Sequence, residues 1–213
     1  MEVDSESKAT DVVWNPALLS TVEACEAYLP EEFKKAVSSG FYVTFWQIAL
    51  YDVYVPTQKY SIEIKKLQAS MTKLDDELRR DPFPTTKKKK ERERLSQNLS
   101  ALEKEMQHQT ENSVRIMDRL KLEKSHWFST TSSKSEIVNA VLQQCLYPRS
   151  MFSPQDALFV AKFVVFMHQI ETESWASMVL FDKIFSKESM LAILFASTEN
   201  EVKNYGIYLF IQC

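Results

Sequence analysis

Residues 57–127 carry two runs of heptad spacing on either side of a proline-containing joint, and no other feature restricts the fold as much. Tyr60, Ile64, Leu67, Met71, Leu74 and Leu78 alternate at intervals of four and three, as do Leu95, Leu99, Leu102, Met106, Gln109, Ser113, Ile116 and Leu120. Such alternation draws one apolar stripe along each of two helices. In the joint, Pro82 and Pro84 lack amide donors and push the residue before each out of helical geometry. The expectation is a long antiparallel helical hairpin, a coiled coil, over residues 57–128. Its seam is Ile64, Leu67, Met71, Leu74 and Leu78 against Leu95, Leu99, Leu102 and Met106. Matching apolar to apolar sets Leu78 opposite Leu95 and Leu67 opposite Met106, in pairs whose numbers sum to 173, with Ile64 and Tyr60 left facing Gln109 and Ser113. In that register the second arm overhangs the first at both ends. The tip overhang is the basic stretch from Lys87 to Arg94, and the base overhang, residues 116–128, must bury its apolar side elsewhere.

Glycine is the compositional outlier. Gly40 and Gly206 are the only two among 213 residues, where about 7% is usual. Scarcity on this scale disfavours sheets with tight turns and favours helices punctuated by proline and serine. It also excludes glycine-rich phosphate loops, which cannot be written with two isolated glycines. The net charge of −3 is unevenly spread: residues 79–94 hold eight basic and three acidic side chains, a local +5. Cys25, Cys145 and Cys213 are odd in number and far apart, which points to free thiols in a reducing compartment. The acidic, polar start is no signal peptide, and no apolar run reaches the length of a membrane span. A soluble, intracellular protein is expected.

In chain order, residues 1–13 read as a disordered leader and residues 14–56 as a helical base. Asn15 caps a helix with Pro16 at its first position, and Pro30 ends it. A second helix over residues 31–38 is expected to stop at Gly40 in a left-handed cap. Residues 41–55 are apolar around nearly the whole circumference, which suits a buried central helix. Their Tyr, Val, Phe and Ile content also fits a strand, but length and helical neighbours favour the helix. After the hairpin, residues 129–213 read as α-solenoid-like stacked helices. Their expected starts are Ser135, Ser153-Pro154, Glu173, a point near Glu188, and Thr198 with Glu201 as a capping box. The apolar run at residues 205–213 predicts that further chain covers it. The fold class expected is all-α.

Chemistry is sparse. His108, His126 and His168 have no acid, cysteine or second histidine at ligand or catalytic spacing, and Asp75, Asp76 and Glu77 belong to a charged helix surface beside Lys73 and Arg79. No catalytic, metal-binding or cofactor-binding residue is assigned, and no small-molecule substrate. The basic tip, Lys87, Lys88, Lys89, Lys90, Arg92 and Arg94, is ordinarily a solubilising feature. As a protruding helix end it is also the candidate contact for RNA or an acidic partner. Trp46, Phe45 and Tyr51, and later Trp175 and Phe181, read as core rather than docking residues.

Several segments taken in order resemble the THO complex subunit 2 family. They are Gly40-Phe-Tyr-Val-Thr-Phe-Trp-Gln47 with Tyr51-Asp52 and Val55-Pro56; Lys87 to Glu91; Arg119-Leu-Lys-Leu-Glu-Lys124 with Trp127-Phe128; Pro148-Arg149 with Phe152-Ser153 and Asp156-Ala157; Phe181-Asp182 with Ile184-Phe185; and Thr198-Glu-Asn-Glu201 with Tyr205-Gly206. The resemblance is to part of the later half of such a subunit. It implies an elongated all-helical nuclear scaffold without enzymatic activity, coupling transcription to mRNA export. Its implied partners are the other THO subunits, a DEAD-box RNA helicase of mRNA export and, as a candidate contact, mRNA. A helical module that binds RNA directly through the basic tip is the alternative.

Overall fold

The computed structural model describes residues 14–81 and 85–212, so the leader, the two prolines of the joint and Cys213 lie outside the described residues. The chain is all-α. Among the described residues no strand forms, and the one extended pairing is an isolated antiparallel bridge between Val37 and Phe128. Two compact units result. One consists of the chain up to Val53 together with Ile116 onward; the other is Tyr54–Arg115.

In the first unit, Asn15 accepts from the Ala17 amide at 3.1 Å and starts a 3-10 turn, Pro16–Leu18, which runs into α1, Leu19–Glu26. Helix α2, Glu31–Ala36, buries Phe33 and Ala36. It stops because the next backbone groups are taken by another segment. The Ser38 amide donates to the Trp127 carbonyl at 2.9 Å, and the Ser129 amide donates to the Ala36 carbonyl at 3.0 Å. Helix α3, Ser39–Gln47, starts at once, capped by Ser38 Oγ.

Gly40 therefore lies inside α3 and does not cap α2 as its position suggested. The reason for glycine there is close approach: a Cβ at Gly40 would fall 2.5 Å from the Trp14 ring. The single aromatic helix expected over residues 41–55 is likewise divided, into α3 and the four-residue α4, Leu50–Val53. At Ile48 the backbone is extended. The Ala49 amide, which a continuing helix would direct to the Phe45 carbonyl, instead donates to Asp52 Oδ2 at 2.8 Å.

Helix α7, Lys134–Val141, is opened by a capping box between Ser133 and Glu136 rather than by Ser135. Only Ser133 has an acid three residues ahead, as the reciprocal bonds require. The chain continues through a π turn, Leu142–Leu146, into α8, Tyr147–Phe152. Pro148 cannot donate to the carbonyl four residues back, and its ring would collide with it; widening the preceding turn removes the conflict. Helix α9, Pro154–Gln169, is capped by Ser153 and is the central element, with Ala157, Phe159, Val160, Ala161, Phe163, Val164, Phe166 and Met167 all buried.

Helix α10 begins at Ser177, not at Glu173, and ends at Ile184. Residues 171–176 are consumed by a turn with positive φ at Glu171 and Ser174, in which Thr172 Oγ1 donates to the Met167 carbonyl at 2.9 Å. Helices α11, Lys187–Ala196, and α12, Glu199–Gln212, complete the unit, with Thr198 and Glu201 bonded as a capping box. Helix α12 packs on α9 and α8.

An aromatic core links the segment before the hairpin to those after it. Phe41 lies 5.1 Å from Phe128 and 5.4 Å from Trp127, and Phe45 lies 5.3 Å from Phe163, centroid to centroid. Phe128 stacks on Trp175. Segments far apart in sequence thus fold around one core.

Candidate functional site

The second unit is built from α5, Thr57–Arg80, and α6 from Thr86 to Arg115, a helix that continues as far as Glu123. Ile64, Leu67, Met71, Leu74 and Leu78 on α5 and Leu95, Leu99, Leu102 and Met106 on α6 are half-buried, and most residues between them are exposed. Cross-arm polar contacts locate the register. The Tyr60 hydroxyl bonds Gln109 Oε1 at 2.9 Å and Glu105 Oε1 at 3.1 Å, Lys88 pairs with Glu77 at 3.2 Å, and Arg92 pairs with Asp75 at 2.8 Å.

These partners sum to between 165 and 169, not 173. The arms are therefore displaced by at least one seam position from the register that apolar matching suggests. At the base Tyr60 meets Gln109, which is buried and satisfied, its amide also donating to the Tyr54 carbonyl at 3.1 Å.

The shift corrects the overhanging basic tip as well. Lys88 and Arg92 lie beside acids of the first arm, and Arg94 lies 3.9 Å from Glu91. Lys87, Lys89 and Lys90 are exposed and form no ion pair among the described residues. Arg79 and Arg80, at the other side of the joint, are exposed and unpaired in the same sense. Arg79 and Arg80 belong to the same basic stretch that the local charge count marks in the sequence.

In the first unit the residues that carry the family resemblance perform internal work. Arg149 is buried at the start of α8. Its guanidinium donates to the Phe45 carbonyl and to the Ile48 carbonyl at 2.8 Å, meets Asp156 Oδ1 at 3.1 Å, and lies 3.7 Å from the centre of the Phe159 ring. Capture of the Phe45 carbonyl is what breaks the aromatic helix at Ile48. A planar fork of donors can hold two carbonyls and a carboxylate together; a lysine cannot. Sequence spacing carried no sign of this role, since the carbonyls lie about a hundred residues away.

Glu123 is the second buried charge. Thr44 Oγ1 donates to its Oε2 at 3.2 Å, and Arg119 Nε lies 3.2 Å from Oε1 but off the hydrogen-bond line. Burial pushes this carboxyl above the ordinary glutamate range, with Arg119 and Thr44 pulling the other way. A raised folded-state pKa means that the folded protein holds its proton more tightly than the unfolded chain. The associated stability is fully present below the ordinary value of 4.5 and is lost as pH rises through the raised value. Urea midpoints should therefore fall from about pH 4.5 upward, and Glu123→Gln should remove that part of the slope. An unchanged slope in the variant would refute the assignment.

Cys25 and Cys145 are free, and burial pushes both thiols upward, which leaves them poor nucleophiles. Among the described residues no group of three His, Cys, Asp or Glu could hold a metal ion, and no helix is long and apolar enough to cross a membrane.

The sequence profile of the family described as transcription factor/nuclear export subunit protein 2, Tho2, matches residues 34–211. Among curated proteins, THO complex subunit 2 of Dasypus novemcinctus is 38% identical over 173 residues, 81% of this chain and 10% of that protein. The Homo sapiens THO complex subunit 2 matches at the same identity and coverage. That of Arabidopsis thaliana is 30% identical over 210 residues, 99% of this chain and 11% of that protein. The chain thus spans about a tenth of the length of the curated relatives it matches.

Proposed function

This chain belongs to the Tho2 family, and from that premise we propose that it is a non-enzymatic scaffold segment of a nuclear THO complex. In that role it contributes to mRNA processing and export by holding other THO subunits and a DEAD-box RNA helicase. The observation that carries this reading is the family match over residues 34–211, which takes in both the Arg149 centre and the heptad arms. Exposed apolar side chains add support. Leu191, Leu194 and Phe195 lie at one-turn spacing on α11, and Phe195 is 86% exposed. Isolated exposed apolar residues are ordinary, but a stripe of this kind marks a protein-contact surface. Immobilised chain should recover THO subunits and the helicase from nuclease-treated nuclear extract. Recovery of no THO subunit would overturn the reading.

A second reading is favoured by the charge around the joint. Arg79, Arg80, Lys87, Lys89 and Lys90 are five exposed cations without an ion pair among the described residues. If they contact single-stranded RNA, each neutralised phosphate contributes about −0.7 to the slope of log K against log salt, about −3.5 for five. Glutamate at Lys87, Lys88, Lys89 and Lys90 should then abolish binding. A slope near zero, or equal binding by the charge-reversed chain, would leave the tip with a solubilising role only.

A further inference from the structure

Residues 14–28 lie along the first unit without entering its core. Trp14, Leu18, Leu19, Val22 and Cys25 are half-buried, Pro16–Leu18 and α1 bury no side chain fully, and Tyr28 is 89% exposed. Helix α1 packs on α3, yet among the described residues only one hydrogen bond ties the segment to a later helix, from Lys34 Nζ to the Glu26 carbonyl at 3.3 Å. The close fit is at Trp14. Where any other residue at position 40 would carry a Cβ, three atoms of the Trp14 ring lie within 2.7 Å of that point. Gly40 is thus a notch in α3, and an indole fills it.

We propose that residues 14–28 are a displaceable strap, and that the Gly40 notch beneath them is a docking site for a partner-protein helix of the same kind, led by a tryptophan. The strap itself shows what the notch accepts. An aromatic side chain seated in a fitted recess is the usual energetic anchor of a protein interface, and here the recess depends on one glycine in a chain that has two. Little else holds the strap. Helix α1 has eight residues, shorter than the about 12–15 that an isolated helix needs in water, so it keeps its form only while docked. Leu29 is buried and Pro30 leads into α2, which fixes the strap at that end while the core behind it stays packed. Segments with few buried contacts open at low free-energy cost, apart from global unfolding.

The strap's charges define the partner further. It carries Glu23 and Glu26, both exposed, and no basic residue. Lys34 stands at the C-terminal end of α1, where a cation complements the helix dipole and bonds a leftover carbonyl. An incoming helix that ends at Lys34 repeats that contact. A polyanion does not, because Lys34 is already paired with Glu31 at 2.6 Å and the recess holds an indole. The partner segment is therefore an acidic amphipathic helix preceded by a tryptophan.

The test joins hydrogen exchange on the whole chain to binding in trans. Amides of α1 should exchange about 100-fold faster than those of α9, and Phe163→Ala, which loosens the core, should accelerate α9 but not α1. Trp14→Ala should accelerate α1 and leave α9 and the thermal transition unchanged. A fluorescent peptide of residues 14–28 should then bind the Trp14→Ala chain. It should bind about thirtyfold more weakly when its own tryptophan is replaced by alanine, or when the chain also carries Gly40→Ala. The proposal is overturned if α1 opens only with the core, accelerating in step with α9 in Phe163→Ala. It is equally overturned if the peptide fails to bind the Trp14→Ala chain or binds it regardless of the peptide's tryptophan.

Discussion

Replacing Arg149 with alanine is expected to lower the unfolding free energy by about 3–5 kcal/mol, since two buried carbonyls lose their donor at about 1–3 kcal/mol each and packing on the Phe159 ring is lost besides. The size follows from what is left behind. The Phe45 and Ile48 carbonyls lose their donor and Asp156 loses its cation. The Phe159 ring also loses the guanidinium that covers it. With a urea dependence of about 2 kcal/mol per molar, the unfolding midpoint should drop by about 2 M. Arg149→Lys should recover only a minor part, because an ammonium keeps the charge but not the fork. A loss below about 1 kcal/mol in the alanine variant would mean that Arg149 does not organise the break between α3 and α4.

The second large effect is expected at Phe163. The centroids of Phe41, Phe45, Trp127, Phe159 and Phe166 lie between 5.3 and 6.4 Å from its own, and it is fully buried. Phe163→Ala should cost about 3–5 kcal/mol, through lost transfer free energy and the cavity left among rings that cannot all collapse inward. Phe163→Leu, which refills most of the space, should cost markedly less. The comparison reads packing directly: equal losses in the two variants would show that cavity volume is not the controlling quantity.

How far the sequence revealed this structure depends on the range of the interaction concerned. Local signals were legible. The 4–3 alternation marks the half-buried positions of α5 and α6, Asn15 and Ser153 cap where short polar residues precede proline, and Thr198 with Glu201 closes its box. Signals that need a partner from afar were not. Gly40 looked like a cap because glycine usually ends helices, whereas here it admits the Trp14 ring. Residues 41–55 looked like one helix because nothing within them competes for the Phe45 carbonyl; the competitor is Arg149.

The candidate tip shows the same division. Lys87, Lys88, Lys89 and Lys90 are conspicuous in one dimension. Their environment depends on a register that apolar matching alone misplaced. Acids at Asp75 and Glu77 and the Tyr60–Gln109 bond discriminate between the two registers. Those polar contacts place Lys88 and Arg92 against the first arm. Spacing on one arm could not have assigned them.

The most direct measurement of the central claim, that this chain works by holding proteins, is a paired affinity capture from nuclease-treated nuclear extract. It uses the wild type and a variant with glutamate at Lys87, Lys88, Lys89 and Lys90. The account predicts equal recovery of THO subunits and the helicase by both chains at moderate salt. Loss of those partners on charge reversal, with the fold intact, would contradict it and make a polyanion contact at the tip the basis of association.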